Sequence, residues 1–304
     1  MGGISVVRRL RRLLPRESLV YAAIGGRAAA SGPVVRGALE ALSAEGAKLV
    51  VVASNRLAAA SFEGAPGGPR FRLTEAGGGL AGPAAAGMIE AGSRATVAAL
   101  RNLKDSRSPA CGCPAKARPK PYIHQMKLGL MAAEETLAGG SYPQALIAAG
   151  YHGPITPFPC DNLERLVESG EVTGAPAEAE AARTLRGLPR DLDALLVAST
   201  HAAHLNRVFE GMMGEDTMLI DPAGELALEI GERLAAAGAV NPADRDRTST
   251  WLLVRSAAGA GGAGSASGGE GAAAGQSGAE RFAALAGKLL GEAVAPATVK
   301  ELVY

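Results

Sequence analysis

Cysteine is scarce in this chain, with three residues, Cys111, Cys113 and Cys160, among 304. Three thiols build no disulfide framework in a chain of this length. No apolar run approaches the roughly 18 residues that a membrane-spanning helix needs. The N-terminal stretch lacks the apolar centre and cleavage site of a signal peptide. Both absences point to a cytoplasmic protein with no membrane partner. Neither sign of charge dominates, with Lys+Arg at 31 and Asp+Glu at 30. A broad basic surface is therefore missing, which argues against a nucleic-acid partner. The one basic cluster, Arg8, Arg9, Arg11 and Arg12, reads as the solvated face of a short amphipathic helix. Aromatics are few while Gly and Ala abound, a pattern of base composition and flexible loops. The Gly-rich stretch 257–278 has no Walker lysine and no G-x-G-x-x-G context, so phosphate binding is not supported. Ser199 and His201 lie near each other, but the G-x-S-x-G elbow of a hydrolase is absent. Cys111-Gly112-Cys113 with His124 falls short of a four-ligand zinc site.

What is present is an alternation of short apolar runs with helical patterns. This is the signature of an α/β protein with mainly parallel strands. Ile4, Val7, Leu10 and Leu14 share one helix face, ended by Pro15. Strands are expected at Leu19–Tyr21, Lys48–Ala53, Leu128–Ala132, Ile155–Phe158, Ala194–Ala198, Thr217–Ile220 and Thr250–Val254. Lys48–Ala53 is continuously apolar after its lysine, as buried parallel strands are. Helices are expected at Val34–Ala44, Tyr142–Ala149, Asn162–Ser169, His204–Met213, Glu225–Ala237 and Ala279–Leu290. Two segments break the rhythm: the Pro- and Lys-rich insertion 102–126 and the Gly/Ala/Ser loop 257–278. Two strand ends echo each other, Ala53-Ser54-Asn55 and Ala198-Ser199-Thr200-His201. Equivalent strand ends facing one cleft imply a pseudo-twofold arrangement, with the site at the strand carboxyl ends.

These strand ends carry a family resemblance. Ala53-Ser54-Asn55-Arg56-Leu57 resembles the glutamate racemase motif A-C-N-T-A, and Ala198-Ser199-Thr200-His201 resembles G-C-T-H. Gly2 to Val6 is similar to the end of D-S-G-V-G-G-L-S-V, and Gly87 to Arg94 to G-V-I-E-P-G-A-R. Gly129 to Tyr142 is similar to G-V-I-G-T-x-A-T-I-x-S-G-A-Y. Pro159 to Gly170 is similar to A-C-P-x-F-V-P-L-V-E-x-G. The blocks are collinear and span nearly the whole chain outside the two insertions. The resemblance implies two pseudo-symmetric α/β domains with a cleft between them. Residues 1–97 with 206–304 would form a discontinuous first domain, and 98–205 the second. It also implies L-/D-glutamate interconversion without metal or other cofactor, supplying peptidoglycan synthesis. A small acidic amino acid would be the ligand, and a homodimer is compatible with the family.

Racemisation removes an α-proton from one face and returns one on the other, which asks for two opposed acid–base groups. The family uses two thiols, whose ordinary pKa of about 8.5 suits the task. Here both positions are serine, Ser54 and Ser199, and a hydroxyl needs an adjacent base even to act as a nucleophile. The family's D-T-x-R-x-P-Y-G aspartate is replaced by Ile24, its P-Y-G by small residues, and the threonine after C-N by Arg56. Asn55, Thr136 and Thr200 keep positions that the resemblance assigns to substrate contact, and Glu168 and His201 positions that assist the second thiol. Asn55 and Thr200 are equally suited to capping the helices after their strands, and helix starts there would favour an anion. The expected function is a racemase-like protein with impaired proton transfer and a binding or regulatory role. An active racemase using another base, and a non-racemising enzyme on the same scaffold, are the alternatives.

Overall fold

The computed structural model describes residues 1–24, 32–61, 86–106, 122–213, 216–242, 247–255 and 277–303. Helix α1 (Ile4–Leu13) buries Ile4, Val6, Val7 and Leu10 and ends before Pro15. Then come β1 (Leu19–Ile24), α2 (Gly32–Ala44), β2 (Val51–Val52), α3 (Asn55–Ser61), β3 (Ala86–Gly87) and α4 (Met88–Ser106). The second half of the alternation runs β4 (Leu128–Ala132), α5 (Glu134–Ala138), α6 (Ser141–Ala148), β5 (Ile155–Pro159), α7 (Asn162–Glu168), α8 (Ala175–Leu185) and β6 (Ala194–Val197). A 3-10 turn (Ala202–Leu205), α9 (Asn206–Met212), β7 (Met218–Ile220), α10 (Pro222–Ala236), β8 (Ser249–Arg255), α11 (Gly278–Leu290) and β9 (Val299–Val303) complete it.

Every strand pair is parallel. The orders are β1-β8-β9, β2-β3 and β5-β4-β6-β7. Parallel sheets need cover on both faces, and period-two alternation supplies it. In β4 and β6, Leu128, Leu130, Ala194 and Leu196 pack toward α4 and α6. Met131, Leu195 and Val197 pack toward α7, α8 and α9 on the opposite face. In β8, Trp251 joins Phe282, Ala286 and Ile4, while Leu252 and Val254 join Val34 and Ala38. The mixed helix–strand content and the separate parallel sheets are those of the two-domain α/β fold expected. Strand β7 lies past residue 205 and pairs with β6.

Three expectations change. The strand expected at Lys48–Ala53 shrinks to Val51–Val52, because its parallel partner β3 is two residues long and passes directly into α4 at Met88. The helix expected at His204–Met213 begins as a 3-10 turn and becomes α-helical only at Asn206. The arginines of α1 are not simply solvated: Arg9 reaches Asp221 at 3.0 Å, and Arg11 lies 5.5 Å over the Trp251 ring and pairs with Glu292. Most of both insertions, with Cys111 and Cys113, lies outside the described residues. Ser277, at the end of the second, builds a capping box with Glu280 on α11, a reciprocal pairing of otherwise orphaned backbone donors.

Leu196 is fully buried at the centre of β6. Leu196→Ala is expected to cost about 2–5 kcal/mol, from lost transfer energy and the cavity left behind. The check is a lower urea midpoint at unchanged slope.

Candidate functional site

The echoed strand ends converge on the first turn of α1. A side chain built on Gly3 would meet Tyr21 Oη at 2.9 Å and Ala53 Cβ at 3.3 Å. One built on Gly2 would meet Thr200 Oγ1 at 2.4 Å and His201 Nδ1 at 2.9 Å. Only glycine allows this approach, and it sets the Ser54 end against α1 on one side and the Ser199 end on the other.

Both serines are engaged locally. Ser54 Oγ accepts the Leu57 N–H at 3.3 Å, and Ser199 Oγ accepts the Ala202 N–H at 3.3 Å. These are capping bonds, which satisfy amides that a starting turn leaves open. The caps are therefore the serines and not Asn55 or Thr200. Asn55 is instead buried, and its Oδ1 accepts the Tyr142 hydroxyl at 2.5 Å. That bond ties α3 to α6. The Asn55 Nδ2 and the Thr136 Oγ1, both buried, have no hydrogen-bond partner among the described residues. Thr200 is buried beside Gly2.

Glu168 and His201 meet, with His201 Nε2 3.5 Å from Glu168 Oε1. The same nitrogen accepts the Gly2 N–H at 3.1 Å, and Glu168 also receives the Met1 amino group at 3.4 Å. The adjacent His201 side chain holds the Glu168 carboxyl down at about 2, with the Met1 amine assisting and burial opposing. Glu164, Glu168 and His201 offer ligand atoms within 4.8 Å of one another, a spacing a metal could use. Each of these groups is already occupied: Glu164 by Arg56 at 3.0 Å, Glu168 and His201 as just described.

Several site features were not read from the sequence. Cys160, expected to be a small buried residue, hydrogen-bonds with Ser199, and burial pushes its thiol up to about 12. At neutral pH its thiolate fraction is about one in 10⁵, so it is no proton acceptor. His204, buried near His201, is pushed down to about 3, mainly by burial. Arg56 reaches from α3 to Glu135 at 3.6 Å, Asp161 at 3.7 Å and Glu164 at 3.0 Å. The departure at Arg56 was visible in the motif, but its three partners were not. Ile24 closes β1, and the small residues after it fall outside the described positions.

The arrangement defines a class, the two-domain parallel α/β proteins with a site at strand carboxyl ends. No family model matches the chain. The glutamate racemase of Lysinibacillus sphaericus is 26% identical over 248 residues, covering 78% of this chain and 80% of the relative. That of Thermus thermophilus is 28% identical over 255 residues, covering 82% of each. Among solved structures, the Thermus thermophilus glutamate racemase with β-chloro-D-alanine superposes with a TM-score of 0.65 at 25% identity, over 99% of this chain and 93% of that one. A Bacillus anthracis glutamate racemase isoform superposes at 0.67 and 21% identity, over 99% and 93%. The chain is thus similar to glutamate racemases over about four fifths of its length and shares their two-domain α/β fold.

Two predictions follow from the hydrogen bonds described. Tyr142→Phe leaves the buried Asn55 oxygen unpaired, and should destabilise by about 1–3 kcal/mol in urea titration. Glu168 is held below its ordinary 4.5, so its contribution to stability is present above that pH and is lost as pH falls toward about 2. Glu168→Gln should flatten this acid limb in a pH series of thermal melts, with wild type and variant converging near pH 2.

Proposed function

We propose that this protein binds a small amino acid in the cleft of a racemase scaffold and has lost the two-thiol proton transfer that interconverts L- and D-glutamate. One observation carries the reading: the hydroxyls of Ser54 and Ser199, at the positions the resemblance assigns to proton transfer, each cap a backbone amide, and neither is hydrogen-bonded to a base among the described residues. Among the described residues the one thiol, Cys160, is pushed up to about 12 by burial and does not replace them. The unpaired Asn55 Nδ2 and Thr136 Oγ1 favour retained binding, because buried polar groups without partners are costly unless a ligand or water satisfies them. Related racemases were solved with D-glutamate and with β-chloro-D-alanine, which supports an amino acid as the ligand class here. Residues 1–97 and 206–304 form one domain in this reading and 98–205 the other, with β7 joining the returning chain to the second sheet. The protein works in the cytoplasm, in a binding or regulatory role beside peptidoglycan precursor synthesis.

The Glu168–His201 pair favours a second reading, an active isomerase in which this pair supplies the base. The two readings separate by experiment. With L- or D-glutamate in deuterated water, proton NMR should show no α-proton exchange above the uncatalysed background. Ser54→Cys with Ser199→Cys should also fail to exchange, because Ile24 still replaces the supporting aspartate. Wild-type exchange approaching the roughly 1–10³ s⁻¹ of ordinary enzymes would sink the impaired reading in favour of the second.

A further inference from the structure

An asparagine side chain ends in an acceptor and a donor, and at Asn55 the hydroxyl of Tyr142 decides which of the two is free. Asn55 opens α3 directly after Ser54, and Tyr142 lies in the first turn of α6. The Tyr142 hydroxyl and Asn55 Oδ1 are 2.5 Å apart. That separation suits an O–H···O bond and is short for an N–H···O bond, which runs at about 2.7–3.2 Å. The amide is therefore held with its oxygen toward α6. The other group near the hydroxyl, the Met88 carbonyl at 3.4 Å, is also an acceptor, so the phenol is asked only to donate. Tyr142 is fully buried. Burial, with Glu90 and Asp221 adding to it, raises its pKa far above the ordinary value, so it remains a donor throughout the neutral range.

Asn55 Nδ2 is then left as a donor alone. Asn55 is 6% exposed, and its Nδ2 has no hydrogen-bond partner among the described residues. A buried donor left unmet is costly. Thr136 Oγ1, buried and unpaired as well, can donate or accept, so it sets no polarity for the site. Resting on the amino-acid-binding reading above, we infer that Tyr142 is a positioning residue: by holding the Asn55 oxygen it fixes Nδ2 as the group that meets the ligand, and so selects a carboxylate there over the corresponding carboxamide. Without the hydroxyl the amide is free to turn and to offer its oxygen to a ligand N–H, and the selection weakens.

The test is calorimetric titration of the full chain with glutamate, glutamine and isoglutamine (the α-carboxamide), in both enantiomers. Wild type should bind glutamate about tenfold more tightly than the amide that replaces the carboxylate meeting Asn55, because charge-assisted hydrogen bonds are about twice as strong as neutral ones. In Tyr142→Phe that ratio should fall by about fivefold. A merely structural role would weaken all three ligands alike and leave the ratio where it was. Proton–nitrogen NMR gives a second readout. The Asn55 Nδ2 protons, assigned by their loss in Asn55→Asp, should shift when glutamate is added to wild type. Equal binding of glutamate and both amides by wild type overturns the inference and leaves cleft binding standing. So does an unchanged ratio in Tyr142→Phe that circular dichroism shows to be folded. Should that variant not fold, an Asn55 amide signal indifferent to bound glutamate in wild type overturns it. Failure of all three ligands to bind wild type overturns the cleft-binding reading itself.

Discussion

In a parallel sheet every strand delivers its carboxyl end to the same edge, and this constraint organises the whole molecule. β2 ends at Ala53-Ser54 and β6 at Ala198-Ser199, so each sheet presents one such end. The two are brought to a common place by the first turn of α1, whose glycines carry no Cβ to hold them apart. Asn55 and Tyr142 add a buried hydrogen bond between α3 and α6. The meeting of the two strand ends is thus a product of strand direction and close backbone approach.

That origin separates the scaffold from the chemistry. The apolar layers above and below β4 and β6 involve neither Ser54 nor Ser199. A serine in place of a thiol keeps a small polar group at the end of the strand, and its oxygen caps the turn that follows. Capping is a contribution of roughly 1 kcal/mol to local structure. His201 is similarly committed to the Gly2 amide and Glu168.

Charged side chains gather beside the Ser199 strand end. Arg56 joins the α3 side to carboxylates of α5 and α7, and Glu168 stays ionised well into the acid range. Exposed ion pairs of this kind contribute little net stability.

The amino-acid sequence by itself determined the α/β class, most of the element boundaries and the likeness to glutamate racemases. Leu128–Ala132 is a strand because five apolar residues in a row suit a sheet covered on both faces, and that signal lies within one short window. The motifs around Ser54 and Ser199 likewise sit in single stretches. Tertiary structure decided what local windows do not contain. Whether Lys48–Ala53 forms a full strand depends on a partner that turns into a helix after two residues. Whether Asn55 caps α3 or accepts from Tyr142 depends on a residue 87 positions away. Arg56 and Glu164 are 108 positions apart, and Cys160 meets Ser199 across the adjoining ends of two segments. Periodicity and capping act between near neighbours along the chain, while burial and charge pairing depend on which distant segments the strand ends bring together.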